Sequence, residues 1–168
     1  MATLKILIFP DPRLRTVAEP IKQVDNSIAK LAEDMFETMY EGDGIGLAAT
    51  QVDIHKRIIV IDISNEKNAP LVLINPKIKR IINNEKKSYS EGCLSVPGIY
   101  EELERPSAVE IDALGLDGKE FTLVAEDLLS VVIQHEMDHL DGKMMVDFLT
   151  NLKREMIRKK MVKHKAAQ

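Results

Sequence analysis

The stretch AEDLLSVVIQHEMDHLDG, residues 125–142, has the strongest structural signature in this chain. It predicts a helix from Ala125 to Leu140 that is nearly continuous in apolar residues through Leu128 to Ile133, and Gly142 is placed to end it. A helix that is apolar on nearly all sides is normally buried. We therefore expect a central helix with the rest of the chain packed around it.

The same stretch contains His135, Glu136 and His139 in the pattern H-E-x-x-H. Residues four apart lie about 40° apart around a helix axis, so both imidazoles can share one metal ion. Glu136 lies on the flank of that face, where it can act as a general base without being a ligand. A charged turn packed by satisfied histidines is the structural alternative, but these groups would be costly to bury among apolar neighbours without partners.

A catalytic ion of this kind takes three protein ligands and keeps one position open. The candidates for the third ligand are Cys93, an acidic residue or another histidine. His55 and His164 sit among charged residues, and we expect both at the surface. Cys93 alone would more often be a buried spectator, but beside H-E-x-x-H it is the best candidate. It lies in SEGCLSVP, residues 90–97, where the glycine and the proline predict an irregular segment rather than a plain strand.

The remaining segments mix helices and strands without regular β-α-β alternation. An N-terminal helix is expected from a cap at Asp25 or Asn26 to Gly42, with an apolar stripe on one face. A C-terminal helix is expected from about Leu152. The stripe of that last helix comprises Leu152, Met156, Ile157 and Met161. Runs rich in β-branched residues predict strands over 57–63, 71–75, 77–82, 108–113 and 121–124.

This order of elements indicates an α+β fold, with mainly antiparallel sheet around the central helix. The 168 residues correspond to one domain, 1–168, in which 151–168 forms the basic C-terminal helix with seven Lys or Arg against one acid. The net charge of −4 argues against the whole chain being a nucleic-acid binder. A single cysteine allows no internal disulfide, and no apolar run approaches a membrane span. We expect a cytoplasmic protein.

Three motifs together resemble the signature motifs of the bacterial peptide deformylases, in their order and spacing. They are GIGLAATQ at 44–51, EGCLS at 91–95 and QHEMDHL at 134–140. The resemblance covers essentially the full chain. It implies an enzyme that removes the N-formyl group from N-formylmethionine at the start of nascent polypeptides and releases formate. It also implies an α+β fold in which antiparallel sheets enclose the H-E-x-x-H helix.

The resemblance assigns roles to individual residues. Cys93, His135 and His139 would ligate one Fe²⁺ ion per chain, and Zn²⁺, Ni²⁺ or Co²⁺ could substitute. Glu136 would serve as general base and acid. Ligand chemistry alone suits zinc and iron alike, so the iron assignment rests on the resemblance.

The resemblance also assigns residues to the substrate and the C-terminal helix to a partner. The Gln51 side-chain amide and the Leu94 backbone N–H would bind the formyl oxygen, and Gly46 would contact the peptide backbone. In this family the C-terminal helix docks on the ribosome, which makes the ribosome an expected partner. A solvated helix face is the plainer interpretation of these basic residues.

Helix spacing places three apolar residues beside the metal motif. Leu128, Val131 and Val132 lie on or near the face of His135 and form an apolar wall. Together with Ile45 they are expected to line a pocket for the methionine side chain, and ordinary core packing is the alternative.

One position departs from the family pattern. Many members have a basic residue, commonly Arg, three positions after the proline of the second motif, whereas this chain has Tyr100 with acidic residues beside it. A salt bridge to the peptide chain at this place is therefore in doubt. Charge alone suggests that Glu91 pairs with Arg105.

Two other functions are compatible with the H-E-x-x-H motif. A zinc metallopeptidase would use the same residues to cleave a peptide bond. A non-catalytic metal-binding module would need a fourth protein ligand and no adjacent base.

Overall fold

A computed structural model of the protein describes residues 2–82 and 85–167. The helices are α1 (Asn26–Glu41), α2 (Asp127–Leu140) and α3 (Asn151–Ala166). The strands are β1 (Gly46–Ala48), β2 (Ile58–Ile61), β3 (Leu71–Ile81), β4 (Lys86–Cys93), β5 (Val96–Pro106), β6 (Ala108–Leu114) and β7 (Glu120–Glu126). Short 3-10 turns cover Pro12–Arg15, Ala49–Val52 and Met145–Phe148.

The strands form two antiparallel sheets. Five of them make a sheet in the order β1-β2-β3-β6-β7, and β4 and β5 pair as a separate hairpin. Strand β2 is buried on both faces: Ile58 and Val60 pack in the core cluster of α1, while Ile59 and Ile61 pack in that of α2. Because successive side chains of a strand point to opposite faces, the two helices must cover opposite sides of this sheet.

Helix α2 is the central helix that the sequence predicts. It contacts strands of both sheets, and most of its residues are buried. It begins at Asp127 rather than Ala125, because Ala125 and Glu126 still pair with Val109 and Ala108 of β6. The α+β fold with an enclosed H-E-x-x-H helix is confirmed.

Helix α1 also agrees with its prediction. The Asp25 side chain accepts hydrogen bonds from the backbone N–H groups of Ser27 and Ile28, which satisfies donors that a helix start leaves free. The helix ends at Glu41 with Gly42 as its cap. Its apolar stripe packs against β2 and fixes the chain that leads into the glycine-rich loop.

The two strands predicted over 71–75 and 77–82 are one strand, β3, which ends at Ile81. Asn75 takes a left-handed conformation with φ of 50°, and the pairing with β6 shifts register between Ile74 and Lys77. The Asn75 side chain bonds both the N–H and the carbonyl of Ile21 at 2.8 Å. The irregularity lets the strand pass through Pro76, which cannot donate to a regular ladder.

The prediction of an irregular segment over 90–97 is wrong for most of its length. Strands β4 and β5 form a hairpin in which Gly92 pairs with Tyr100, and only the turn at Leu94 and Ser95 lies outside the strands. Serine, glutamate and glycine have low β-propensity, so the local sequence did not indicate a strand. The cross-strand ladder supplies the stabilisation that local propensity lacks.

Helix α3 forms as predicted, with Thr150 accepting a hydrogen bond from the Lys153 N–H at its start. The predicted apolar stripe is wrong for two of its four residues. Ile157 and Met161 are buried, whereas Leu152 and Met156 are exposed. In the ranges 2–82 and 85–167, no helix combines the length and apolarity needed to cross a membrane.

Candidate metal centre

Helix α2 and the end of β4 bring the three predicted ligands together. The ligand atoms of Cys93, His135 and His139 all lie within 4.8 Å of one another. The Cys93 Sγ is 3.4 Å from the His139 Nε2. Among the described residues, no other His, Cys, Asp or Glu joins this group, so it offers three donors to an ion.

A buried ion-pair network fixes the orientation of His135. Its Nδ1 donates to the Glu91 carboxylate at 2.9 Å, which leaves Nε2 for an ion. Arg105 binds the same carboxylate through two nitrogens, at 2.7 and 3.0 Å, and reaches Asp138 of α2 at 2.9 Å. The pairing of Glu91 with Arg105 that charge suggested is confirmed.

The electrostatics of the cluster favour a cation. Burial opposes a charge on His135, but Glu136, Cys93 and Glu91 outweigh it and raise the pKa of His135 well above its usual value. Burial, helped by the charge of His135, lowers the pKa of His139 well below its usual value and keeps that imidazole neutral, as a ligand must be. Two imidazoles and a thiol in an anionic, buried setting fit a divalent transition metal.

Glu136 is buried beside the three-donor cluster, and its Oε1 has no hydrogen-bond partner among the described residues. Burial raises its pKa to about 7 against the opposing charge of His135. Gly46 makes room for this carboxylate, because a Cβ there would lie 2.6 Å from the Glu136 Oε2. A carboxyl with a pKa near neutrality suits proton transfer in both directions.

Gln51 is held in one orientation by hydrogen bonds at both ends of its amide. Its Oε1 accepts from the Ala48 N–H at 3.0 Å, and its Nε2 donates to the Ser95 Oγ at 3.1 Å. The Nε2 also lies 3.5 Å from the Cys93 Sγ. The sequence analysis assigned no role to Ser95. Its local sequence does not indicate a hydrogen bond to a residue 44 positions away.

A cleft of about 390 Å³ lies over this cluster. Its lining includes Cys93, His135 and Glu136, together with Gly46, Gln51 and Leu94. All four residues of the predicted apolar pocket also line it: Ile45, Leu128, Val131 and Val132. The eleven residues singled out from the sequence therefore meet at one place, except that His139 lies behind the lining.

Comparison with known proteins identifies the family of this chain. The family model described as polypeptide deformylase matches residues 3–155. The peptide deformylase of Azotobacter vinelandii is 60% identical over 163 residues, which are 97% of this chain and 96% of that one. Peptide deformylase 1 of Pseudomonas syringae pv. tomato is 58% identical over the same shares of both chains.

Solved structures show the same fold. The peptide deformylase from Legionella pneumophila has a TM-score of 0.93 at 45% identity, covering 99% of this chain and 98% of that one. The peptide deformylase from Ehrlichia chaffeensis in complex with actinonin has a TM-score of 0.94 at 40% identity, covering 98% of each chain. A match over nearly the whole length, together with the Cys-His-His cluster and its adjacent carboxyl, makes this chain a metal-dependent hydrolase that belongs to the peptide deformylase family.

Proposed function

We propose that the cleft binds N-formylmethionine at the start of nascent polypeptides and that the chain hydrolyses its formyl group to formate. One observation carries this proposal beyond family membership: Glu136 lines the same cleft as Cys93 and His135, and within residues 2–82 and 85–167 its Oε1 has no hydrogen-bond partner. A buried carboxyl without a hydrogen-bond partner does not stabilise the fold, whereas hydrolysis needs a general base at this position.

The ion would be held by Cys93, His135 and His139, one per chain. The donors suit Fe²⁺, with Zn²⁺, Ni²⁺ or Co²⁺ able to bind the same set, and the resemblance to the family favours iron. When bound, such an ion supplies a hydroxide nucleophile near neutral pH and withdraws charge from the formyl oxygen.

The residues of the chain perform the remaining chemistry. Glu136 accepts a proton from the attacking water and donates it to the departing amine, so one carboxyl serves both steps. The Gln51 amide and the Leu94 N–H donate to the formyl oxygen as negative charge builds on it. One such donor typically contributes about 3–4 kcal/mol to the transition state. The fixed amide of Gln51 supports this role, because a pre-oriented donor needs no reorganisation during the reaction.

The apolar wall explains why the substrate should begin with a methionine. Ile45, Leu128, Val131 and Val132 line one cleft, and an unbranched thioether side chain suits such a surface. Gly46 contacts the peptide backbone in this proposal. It has a second role, because only a residue without a Cβ admits the Glu136 carboxylate.

A formate-release assay on formyl-Met-Ala-Ser tests the proposal, using protein purified anaerobically and analysed for metal. Formate in equal amount to the intact tripeptide Met-Ala-Ser is the expected result. Cleavage of a peptide bond without formate would instead favour the zinc metallopeptidase. A fully metal-loaded protein that releases neither product would favour the non-catalytic module.

The proposal extends to the location and partners of the chain. Helix α3 adds Ile157 and Met161 to a core cluster shared with β5, which supports one catalytic domain over 1–168. A substrate that emerges during translation places the enzyme in the cytoplasm. The exposed basic side chains of α3 would bind ribosomal RNA phosphates, with an affinity that falls steeply as salt rises.

Charge neutralisation tests the ribosome contact without removing the buried residues of α3. Lys159, Lys160 and Lys163 are exposed, and replacing all three by Gln should abolish co-sedimentation with ribosomes at low salt. The matched control replaces Lys22, Lys77 and Lys119, which are exposed outside α3. Equal co-sedimentation of the two triple variants would exclude the helix as the contact.

A further inference from the structure

Phe148 is a large apolar residue that lies outside the core. It is 58% exposed, and no core cluster among the described side chains includes it. Its ring faces Arg105, whose Cζ lies over the ring at 5.0 Å from the ring centroid. Arg105 itself is only 6% exposed. The ring is therefore the outer layer over a buried guanidinium, at a distance where cation–π attraction is effective.

The turn that carries Phe148 is fixed without help from its ring. The Asp147 carboxylate accepts two hydrogen bonds from Arg15, at 2.7 and 2.9 Å. Met145 and Val146 are buried in a core cluster that they share with residues of β5 and α3. These anchors hold the backbone on both sides of the centre of the sheet-to-helix connection. A substitution of the Phe148 side chain should therefore leave the turn in place.

The Arg105 guanidinium uses its edges for hydrogen bonds and one face for the ring. Its Nε and Nη2 donate to the two oxygens of Glu91, and its Nη1 donates to Asp138. Because the faces of a guanidinium carry no donors, the ring covers one of them without costing a hydrogen bond. The ring also displaces water, and the attraction between Arg105 and Glu91 is stronger in a less polar surrounding.

The orientation of this guanidinium is linked to the metal centre through a single oxygen. The Glu91 Oε1 accepts from the Arg105 Nη2 at 3.0 Å and from the His135 Nδ1 at 2.9 Å. A tilt of the guanidinium would therefore turn the carboxylate that orients the imidazole. Partners of this kind fix a ligand in its binding orientation and increase metal affinity. Phe148 is thus connected to His135 through Arg105 and Glu91.

We propose that Phe148 is a positioning residue for the metal centre. Its ring holds the Arg105 guanidinium in its bidentate pairing with Glu91 and thereby slows the loss of an ion bound through His135. Because Phe148 acts through Arg105, its effect should appear in metal retention rather than in the steps of the reaction. The proposal rests on the proposed function only in taking the three-donor cluster as the metal site.

The test measures how fast excess EDTA removes Co²⁺ from the protein, followed by the visible absorption of the bound ion. Phe148→Leu keeps an apolar side chain without an aromatic face and should release Co²⁺ about three- to tenfold faster, since one cation–π contact is weaker than a whole outer partner. Phe148→Tyr keeps the ring and should release it at the parent rate. Leu152→Ala, at an exposed apolar residue of α3, is the control and should also match the parent.

A double-mutant cycle assigns the effect to Arg105. In an Arg105→Met background the ring has no cation to cover, so Phe148→Leu should no longer change the release rate. Thermal denaturation of the metal-free proteins provides the comparison with a merely structural role. Such a role would lower the melting temperature of Phe148→Leu without faster release of Co²⁺, and that result would contradict the proposal.

The outcomes separate this proposal from the proposed reaction. Equal release rates for the parent and Phe148→Leu, or equally fast release from the Leu and Tyr variants, would overturn the proposal even if formate is released. Faster release from Phe148→Leu alone, in a protein that yields no formate, would contradict the proposed reaction and leave the positioning role standing. A parent protein that takes up no Co²⁺ would contradict both.

Discussion

At the scale of single residues, surroundings rather than residue type set the chemistry of this site. Glu136 and Glu91 are both buried carboxyls within the same cluster. Arg105 and His135 overcome the burial of Glu91 and lower its pKa, whereas Glu136 has no such bonds and its pKa is raised to about 7. Glu91 is therefore an anion at neutral pH that orients the proposed ligand His135, whereas Glu136 can exchange a proton there.

Replacing Glu136 by Gln should therefore strongly reduce turnover without changing the metal content. We expect kcat to fall by about 10²–10⁴-fold, the usual contribution of a positioned acid–base group. Metal content should not change, since Glu136 is outside the three-donor cluster. Formate release and metal analysis on one preparation check both outcomes. Glu126→Gln, at an exposed residue before α2, is the control and should leave both unchanged.

Gly46→Ala should impair activity through Glu136. The new Cβ would be 2.6 Å from the Glu136 Oε2 and 2.9 Å from the Val132 Cγ1, so the carboxylate or β1 must move. We expect a loss of about 1–3 kcal/mol of stability and a larger loss of kcat/KM. Gly115→Ala, at a turn outside the cleft where the nearest contact is the Asp117 side chain, should retain activity. Full activity of the Gly46 variant would contradict the tight packing.

Arg105→Met should weaken metal binding although Arg105 touches no ion. It would leave Glu91 buried without its bidentate partner and loosen the bond that orients His135. Loss of such an outer partner typically costs about 10–100-fold in metal affinity, and breaking a buried ion pair costs about 3–5 kcal/mol of stability. Metal titration and urea unfolding measure the two effects. Arg158→Met, at an exposed pair with Glu155, should change neither.

At the scale of elements, α2 carries the two proposed histidine ligands and two residues of the proposed substrate pocket on adjoining faces. The turns that carry His135 and His139 also place Val131 and Val132 in the cleft. Both placements were predictable, because helical spacing relates residues that are close in sequence. The β4–β5 hairpin was not predictable, because its polar residues form a ladder only once the partner strand is present.

The role of the apolar wall on α2 in substrate binding can be tested separately from the proposed metal ligands. Val131 is 3% exposed and lines the cleft, so Val131→Phe should fill part of the pocket. We expect a higher KM for formyl-Met peptides with unchanged metal content. Val162→Phe, at an exposed position of α3, is the size-matched control. An unchanged KM in the Val131 variant would remove this residue from the pocket.

At the scale of the whole molecule, Asp62 links α1 to the segment after β2. It is buried and accepts hydrogen bonds from the Tyr40 O–H at 2.6 Å and from the Ser64 N–H and O–H. Burial alone would raise the pKa of Asp62, but these bonds outweigh it and lower the pKa below the usual value. The anionic form therefore stabilises the fold.

The lowered pKa defines how stability should depend on pH. The contribution of Asp62 is present above the unfolded pKa of about 3.9 and is lost as pH falls through the lower folded value. Asp62→Asn should be less stable than the parent at pH 7, by about 1–3 kcal/mol, and this difference should narrow below about pH 4. Urea unfolding across this range checks the trend. Asp43→Asn, at a highly exposed residue, should show no such dependence.

The local sequence was sufficient for the three helices, for four of the five strands of the larger sheet and for the pairing of the two proposed histidine ligands. A cap at Asp25, an apolar stripe and the four-residue spacing of His135 and His139 specify helices and a shared face, because helix geometry is set by neighbours along the chain. Cys93 became the best third ligand only beside that histidine pair, and the family motifs added the formyl substrate. The contacts between residues far apart in the sequence could be seen only in the tertiary structure.

Those contacts include the Cys93 Sγ at 3.4 Å from a histidine 46 residues away, and the Glu91 carboxylate that holds both His135 and Arg105. The raised pKa of Glu136 also depends on the tertiary structure, because burial is its main cause. Strand register and burial arise only when distant segments pack together. The H-E-x-x-H motif thus indicates a metal site by itself, but the orientation of the proposed ligands and the proton affinity of the proposed base come from the fold around it.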